Sequence, residues 1–214
     1  MALIINEIFY SIQGESTFAG QACVFVRLTG CNLRCSYCDT HYAYSEGSPM
    51  AVEQVVKKVA AFGCKLVEIT GGEPLLQADT GQLVDMLLEK GFEVLMETNG
   101  SLDISKIDQA CKKIIDIKCP GSGEADQCDV ANLQRMSASD QLKFVISDHR
   151  DYLYAKKMLL RIPTKVLPGN ILFSPVWDKV PGRELAAWIL EDGLQVRMQL
   201  QLHKIIWPDI ERGV

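Results

Sequence analysis

Cys31, Cys35 and Cys38 fall within eight residues, in the run Gly30-Cys-Asn-Leu-Arg-Cys-Ser-Tyr-Cys-Asp-Thr40. They follow the apolar strand-like run Val24-Phe-Val-Arg-Leu28, so a strand leads directly into a loop that must gather three thiols. Thiolate is the usual ligand of iron–sulfur clusters, and electron-transfer clusters normally have every iron capped by cysteine. Three thiols at C-x3-C-x2-C, with no fourth nearby, hold three corners of a 4Fe-4S cluster and leave one iron open to a small molecule. A structural zinc site would need a fourth Cys or His to close its tetrahedron; His41 lies only three residues past Cys38, and no second Cys-x2-Cys pair is present. A disulfide framework belongs to small secreted domains, whereas this chain has 214 residues and is 48% hydrophobic.

That length suffices for one well-filled core and demands no second domain. The balance of 22 Lys+Arg against 27 Asp+Glu gives a net charge of −5, which argues against an extended nucleic-acid surface. No apolar run reaches the roughly 18 residues of a membrane span, and Met1 to Ile5 is too short and uncharged for a secretory signal. Eight cysteines in such a chain point to a reducing cytoplasm, with thiols kept free for metal. Of the other five, Cys23 and Cys64 sit beside apolar runs and read as small core residues. Cys111 stands alone. Cys119 and Cys128 flank a Gly-rich loop, too few for a second cluster.

Short β-branched runs alternate with amphipathic segments, the pattern of βα units on a parallel sheet. Strands are expected at Val24–Leu28, Leu66–Thr70, Glu93–Thr98, Ile114–Ile117, Leu142–Ile146 and Ile171–Phe173. Ser48-Pro49 should cap a helix over Met50–Phe62, which Gly63 ends. Leu83, Leu87 and Leu88 stripe a helix that stops at Gly91, and further helices are expected at Tyr152–Leu160 and Arg183–Glu191. A last extended run covers Gln195–Leu202, with the alternation of a half-exposed edge strand reaching Lys204. About six units fall short of the eight that close a TIM barrel, so the expected fold is α/β, an open, incomplete (βα)6-like TIM-type barrel in a single domain over residues 1–214.

Active groups of such folds gather at the C-terminal ends of the strands. Thr70-Gly-Gly-Glu-Pro74 lies there; its glycines permit close approach and its N–H groups could receive a ligand. Glu97-Thr-Asn-Gly100 and Asp116-Ile-Lys118 also stand at strand ends, where capping by Asn99, Ser101 and Asp103 is the plain alternative. Ser11-Ile-Gln-Gly-Glu15 projects polar groups around a glycine. Arg27, inside an apolar strand, needs either a buried acid or an opening into a cavity.

Together these segments resemble the 7-carboxy-7-deazaguanine synthase family of radical S-adenosylmethionine (SAM) enzymes. The matching residues are Asn6-Glu7, Ser11-Ile-Gln-Gly-Glu15, Phe25-Val-Arg27-Leu, the cysteine run through Asp39-Thr40, Thr70-Gly-Gly-Glu-Pro74, Glu97-Thr-Asn-Gly100 and Gln201-Leu-His-Lys204. The cysteine spacing marks the superfamily, while the SIQGE opening and the Cys-Asp-Thr ending mark this branch. The resemblance implies a radical SAM fold of the same open-barrel kind and a cytoplasmic homodimer. It implies ring contraction of 6-carboxy-5,6,7,8-tetrahydropterin to 7-carboxy-7-deazaguanine with loss of ammonia, in queuosine precursor biosynthesis.

The resemblance also assigns residues. Cys31, Cys35 and Cys38 would hold a 4Fe-4S cluster. SAM would lie against Tyr37, Cys38, Asp39, Gly72, Asp116, Ile117, Lys118 and Ser174, the pterin against Ile12, Gln13, Gly14, Arg27 and Thr70, and Mg2+ on Thr40. A flavodoxin-like or other low-potential reductant would supply electrons. The chain departs from the family where Asp116-Ile-Lys118 replaces Ser-Pro-Lys, and where Asp-Ile-Glu-Arg-Gly-Val214 follows Pro208. An activase that places a radical on a protein partner shares the cysteine motif but needs a peptide-accepting surface. A plain iron–sulfur carrier predicts a cluster indifferent to SAM.

Single alanine substitutions at Cys31, Cys35 or Cys38 are expected to abolish the colour and bound iron of the reconstituted protein, and its turnover. Loss of a cluster's worth of iron from Cys119→Ala or Cys128→Ala would contradict a single cluster.

Overall fold

The computed structural model describes residues 2–214. Strands Ala2–Ile12 (β1) and Ala22–Leu28 (β2) form an antiparallel pair, and Ser48–Ala51 (β3) joins the other side of β1. Helix Val52–Ala61 (α1), strand Leu66–Gly71 (β4), helix Thr80–Glu89 (α2) and strand Glu93–Thr98 (β5) follow. Next come Lys112–Ile117 (β6), the one-turn helix Asn132–Arg135 (α3), Gln141–Ile146 (β7) and helix His149–Leu159 (α4). Ile171–Pro175 (β8), helix Gly182–Glu191 (α5), Arg197–Met198 (β9) and helix Leu202–Ile206 (α6) complete the order. Among the described residues these strands form one sheet in the order β3-β1-β2-β4-β5-β6-β7-β8-β9, parallel from β2 to β9 and unpaired between its two ends. The barrel is open, and β2 with β4 to β8 are the six parallel strands expected. No helix among the described residues is long and apolar enough to cross a membrane.

Four expectations need correction. Residues 48–51 are a strand, so the first helix starts at Val52 after Ala51, and Pro49 sits on the sheet's outermost strand. An edge strand can hold a proline because one of its sides has no ladder to feed. The N-terminal segment, assigned no strand from sequence, is the eleven-residue β1. The expected extended run over Gln195–Leu202 contains only the two-residue β9, and Leu202–Ile206 is helical. Finally, the βα alternation lapses between β5 and β6, where the connection holds only a 3-10 turn at Ile104–Lys106.

The pleat sorts each parallel strand into two faces. Val24, Val26, Leu28, Val67, Ile69, Val94 and Met96 pack against α1 and α2. Ile115, Ile117, Leu142, Phe144 and Phe173 pack under α4 and α5 with Tyr152, Leu185 and Ile189. The alternate residues face the barrel interior. Cys23, Phe25, Leu66, Leu95 and Ile114 close one end as a small apolar plug, with Phe9 stacked on Phe25 at 4.9 Å. Cys23 is thus a core residue, and Cys64 packs at the plug's edge.

One pleat further along, the interior becomes ionic. Glu68, Glu97, Asp116 and Lys143 continue the inward faces of β4, β5, β6 and β7. The Lys143 ammonium is paired with Glu97, lies 2.8 Å from Glu15 and 3.5 Å from Asp116, and leaves only 5% of its side chain exposed. Burial opposes its charge, but Glu15 and Glu97 hold its pKa well above the ordinary lysine value. Burial likewise works against ionised Glu15 and Asp116. Lys143 with His203, and Lys118 with Lys143, outweigh it and keep both carboxyls low. At Glu68 the compensation is outweighed: burial first, then the neighbouring Glu97 charge, push its carboxyl well above the ordinary range despite Lys143 and Arg27. Burial also raises Glu97 despite Lys143.

This layer predicts a pH dependence. A carboxyl whose pKa is higher in the folded than in the unfolded chain stabilises the fold below the unfolded value, and that contribution is lost as pH rises through the folded value. Glu68→Gln cannot ionise, so its melting temperature relative to the native chain should improve as pH rises above the unfolded carboxyl value of about 4.3. A difference in melting temperature that stays flat as pH rises from there would contradict a raised Glu68.

Candidate active site

The C-terminal ends of the parallel strands open into a cavity of about 840 Å³, near the upper end of the roughly 300–1,000 Å³ typical of ligand sites. All three clustered cysteines line it, together with Ile12, Gln13, Gly14, Arg27, Tyr37, Asp39, Thr40, Thr70, Gly72, Asp116 and Lys118. Two residues assigned from sequence do not. Ile117 lies between Asp116 and Lys118 on the strand, so the pleat turns its side chain into the core beneath α4. Ser174 is fully buried, and its Oγ lacks a hydrogen-bond partner.

The cysteine loop has little secondary structure of its own and is held from outside. Gly30 donates to the Ala43 carbonyl (2.8 Å), Arg34 N to Glu124 (2.7 Å), and Ser36 donates through N and Oγ to Ser122 and Gly121 (2.9 and 2.8 Å). Leu33 is buried as an apolar anchor. The Gly-Gly-Glu turn packs on the same loop. Gly72 N–H donates to Leu28 O (3.0 Å) and Glu73 N–H to Gly30 O (2.7 Å), so these groups serve the fold rather than receiving a ligand as expected. A Cβ on Gly72 would overlap the Gly30 carbonyl and come within 2.9 Å of Cys31 Cβ. The Glu73 carboxylate is fully buried and accepts from Leu75 N, Thr98 Oγ1 and Asn99 N, tying the turn to the end of β5.

Burial raises the Cys31 thiol and pushes Cys35 up to about 11, against the field of the buried Lys118 ammonium. Lys118 is itself raised, the adjacent Asp116 charge outweighing its burial. The donor set suits an iron–sulfur cluster: three soft sulfurs face one cavity beside a fixed positive charge, and Leu33 N–H donates to Cys31 Sγ at 3.4 Å. Among the described residues no three His, Cys, Asp or Glu side chains converge closely enough for a single metal ion. Asp116 leaves Oδ1 without a partner while Oδ2 takes Lys118 at 2.9 Å, which suits a polar cofactor lying against this wall.

In the same cavity, Arg27 keeps 14% of its side chain exposed and gives Nε to Glu7 at 2.7 Å. Its guanidinium lies 5.6 Å from the Phe9 ring centre and 5.8 Å from that of Tyr42. Among the described residues its two terminal nitrogens make no hydrogen bond, so the structure contains both the acid partner and the opening that the sequence left as alternatives. Asp39 and Thr40 set two hard oxygens 3.0 Å apart, and Lys204, 3.0 Å from Asp39, outweighs burial to hold that carboxyl down to about 2. Gly14 is needed because a Cβ there would stand 2.5 Å from His203 Nδ1. The close approach lets Leu202 N donate to Gly14 O (3.0 Å) and Gln201 reach Glu15 (2.7 Å).

Sequence reasoning missed Glu68, Lys143, Tyr42 and His203 as cavity residues, along with Pro208, Ile210, Glu211, Arg212 and Val214. For Glu68 and Lys143 the signal was present: each is a charge inside an apolar strand, as Arg27 is. For residues 208–214 there was none.

Residues 25–120 match the model of the radical SAM superfamily. The chain is 45% identical to the 7-carboxy-7-deazaguanine synthase of Chlorobaculum tepidum, covering 99% of this chain and 97% of that one. It is 41% identical to the 7-carboxy-7-deazaguanine synthase of Koribacter versatilis, covering 98% and 99%. In fold it is similar to the crystal structure of QueE from Escherichia coli, with a TM-score of 0.77 at 24% identity over 94% of each chain. Superfamily membership brings a 4Fe-4S cluster and SAM, and the three cysteines lining the cavity are compatible with the cluster. With near-complete coverage on both sides, the chain belongs to the 7-carboxy-7-deazaguanine synthase family.

Proposed function

We propose that this cavity contracts 6-carboxy-5,6,7,8-tetrahydropterin to 7-carboxy-7-deazaguanine with release of ammonia. The observation that carries the reading is a pairing in one cavity: three half-buried thiols, and a guanidinium whose fork is unpaired among the described residues. When bound, the cluster and SAM would supply the radical chemistry that removes hydrogen from a substrate. The protein's own residues do the rest.

Arg27 grips the substrate carboxylate through its two free nitrogens while Glu7 fixes the guanidinium plane from the Nε side. Ile12 to Gly14 and Thr70 flank the ring. Glu15 and Glu97, on the inner ionic layer, offer acceptors to pterin N–H groups, and Glu68, whose carboxyl burial raises well above the ordinary range, borders the adjoining edge. Cys31, Cys35 and Cys38 would hold the cluster, and Tyr37 to Asp39, Gly72 and Asp116 to Lys118 would lie along SAM. Ile117 would contribute backbone only, and Ser174 supports this wall from behind. Thr40, with Asp39 beside it, would offer the hard oxygens that Mg2+ prefers, where the ion would supply Lewis-acid stabilisation of charge.

The single radical SAM domain works as a cytoplasmic homodimer fed by a low-potential, flavodoxin-like reductant. Anaerobic turnover with the carboxytetrahydropterin, SAM and Mg2+ tests the reaction through the appearance of 7-carboxy-7-deazaguanine and ammonia. In the same assay Arg27→Lys is expected to retain cluster and SAM affinity while weakening pterin binding by roughly 1.5–3 kcal/mol, the range of a charge-assisted hydrogen bond. A lowered melting temperature with pterin affinity intact would make Arg27 a structural partner of Glu7 instead.

A further inference from the structure

Residues 208–214 run along the cavity. Pro208, Ile210, Glu211, Arg212 and Val214 all line it, although the segment contains no helix or strand. Few contacts hold it down. Arg212 pairs with both oxygens of Glu46, at 2.8 and 3.2 Å, and its guanidinium lies 4.1 Å from the Tyr42 ring centre. Tyr42 Oη lies 3.3 Å from the Glu211 carbonyl. Half-exposed ion pairs and surface cation–π contacts are weak one by one, so the segment is closed yet able to open.

Tyr42 does more than anchor this segment. Its hydroxyl also lies 3.2 Å from Glu7 Oε1, the same oxygen that accepts from Arg27 Nε at 2.7 Å. A hydroxyl has one hydrogen to donate, so Tyr42 divides it between the carboxylate that orients Arg27 and the carbonyl that keeps the segment shut. Its ring meanwhile sits near both guanidiniums. One side chain therefore touches the holder of Arg27 and the cover of the cavity.

We propose that Tyr42 is a positioning residue that couples closure of residues 208–214 over the cavity to the seating of substrate on Arg27. This rests on reading Arg27 as the anchor of the substrate's carboxylate. Closure excludes water from the site and keeps SAM cleavage in step with product formation. By reciprocity, substrate that is held better when the segment is shut must also hold the segment shut.

Hydrogen exchange of residues 208–214 in the reconstituted, SAM-bound enzyme tests the coupling. The pterin should slow exchange in the native chain, and Tyr42→Phe or Arg212→Ala should speed exchange several-fold without ligand and largely abolish the pterin's effect. Both variants should raise KM for the pterin at least threefold and raise the ratio of 5′-deoxyadenosine to product, with iron content and SAM affinity unchanged. Charge exchange, Glu46→Arg with Arg212→Glu, should restore the ratio that either change alone disturbs.

A purely structural role would lower the melting temperature without moving that ratio. Exchange of the segment that ignores the pterin, or variants within twofold of the native chain in KM and ratio, would overturn the proposal. If the native chain made no 7-carboxy-7-deazaguanine, the reaction assigned above would fail instead, while ligand-free exchange in Tyr42→Phe would still decide whether Tyr42 holds the segment.

Discussion

Everything in the site hangs on the contact between two backbones that leave no room for a side chain. Gly72 lies against Gly30 so closely that the Leu28 and Gly30 carbonyls take the N–H groups of Gly72 and Glu73. That contact clamps the cysteine loop to the end of β4. The buried Glu73 carboxylate extends the clamp to the end of β5 through Thr98 and Asn99. The loop carrying Cys31, Cys35 and Cys38 has little regular structure, so its shape is imposed by its neighbours. A metal group requiring three fixed corners needs a frame of this kind before it binds.

A second constraint is the pleat. Successive residues of each parallel strand alternate between a helix-covered core and the barrel interior, and the interior changes from apolar to ionic along the strand. Burying Glu15, Glu97 and Asp116 around Lys143 is costly for stability, because each charge loses its water and must be offset by its partner, while Glu68 is pushed toward its neutral form. Such a layer suits a ligand-binding floor, where bound donors complete the pairing. Perturbed carboxyls gathered in a cavity are a frequent mark of functional sites.

The six parallel strands were legible because each is a short β-branched run bounded by turn residues, buried on both faces. Elements at the sheet's edges and at the end of the chain were not. A register shift between Ile5 and Glu7 breaks the alternation of β1, and Pro49 in β3 imitates a helix start. Gln199 to Lys204 alternates like a strand, yet Leu202 N is tethered to Gly14 O and the chain turns into α6. The grouping of Cys31, Cys35 and Cys38 could be read from spacing alone, and the structure brings all three to one cavity. Residues 208–214 join the site only through tertiary contacts with Tyr42 and Glu46, which no local pattern announces.

The open iron implied by three cysteines is tested most directly by the EPR spectrum of anaerobically reconstituted, reduced protein, recorded with and without SAM. Coordination of SAM at the iron that lacks a cysteine changes the electronic environment of the cluster and therefore shifts its signal. A spectrum unchanged at saturating SAM would mean that every iron is already capped, and that the cavity beside Cys31, Cys35 and Cys38 serves some other ligand.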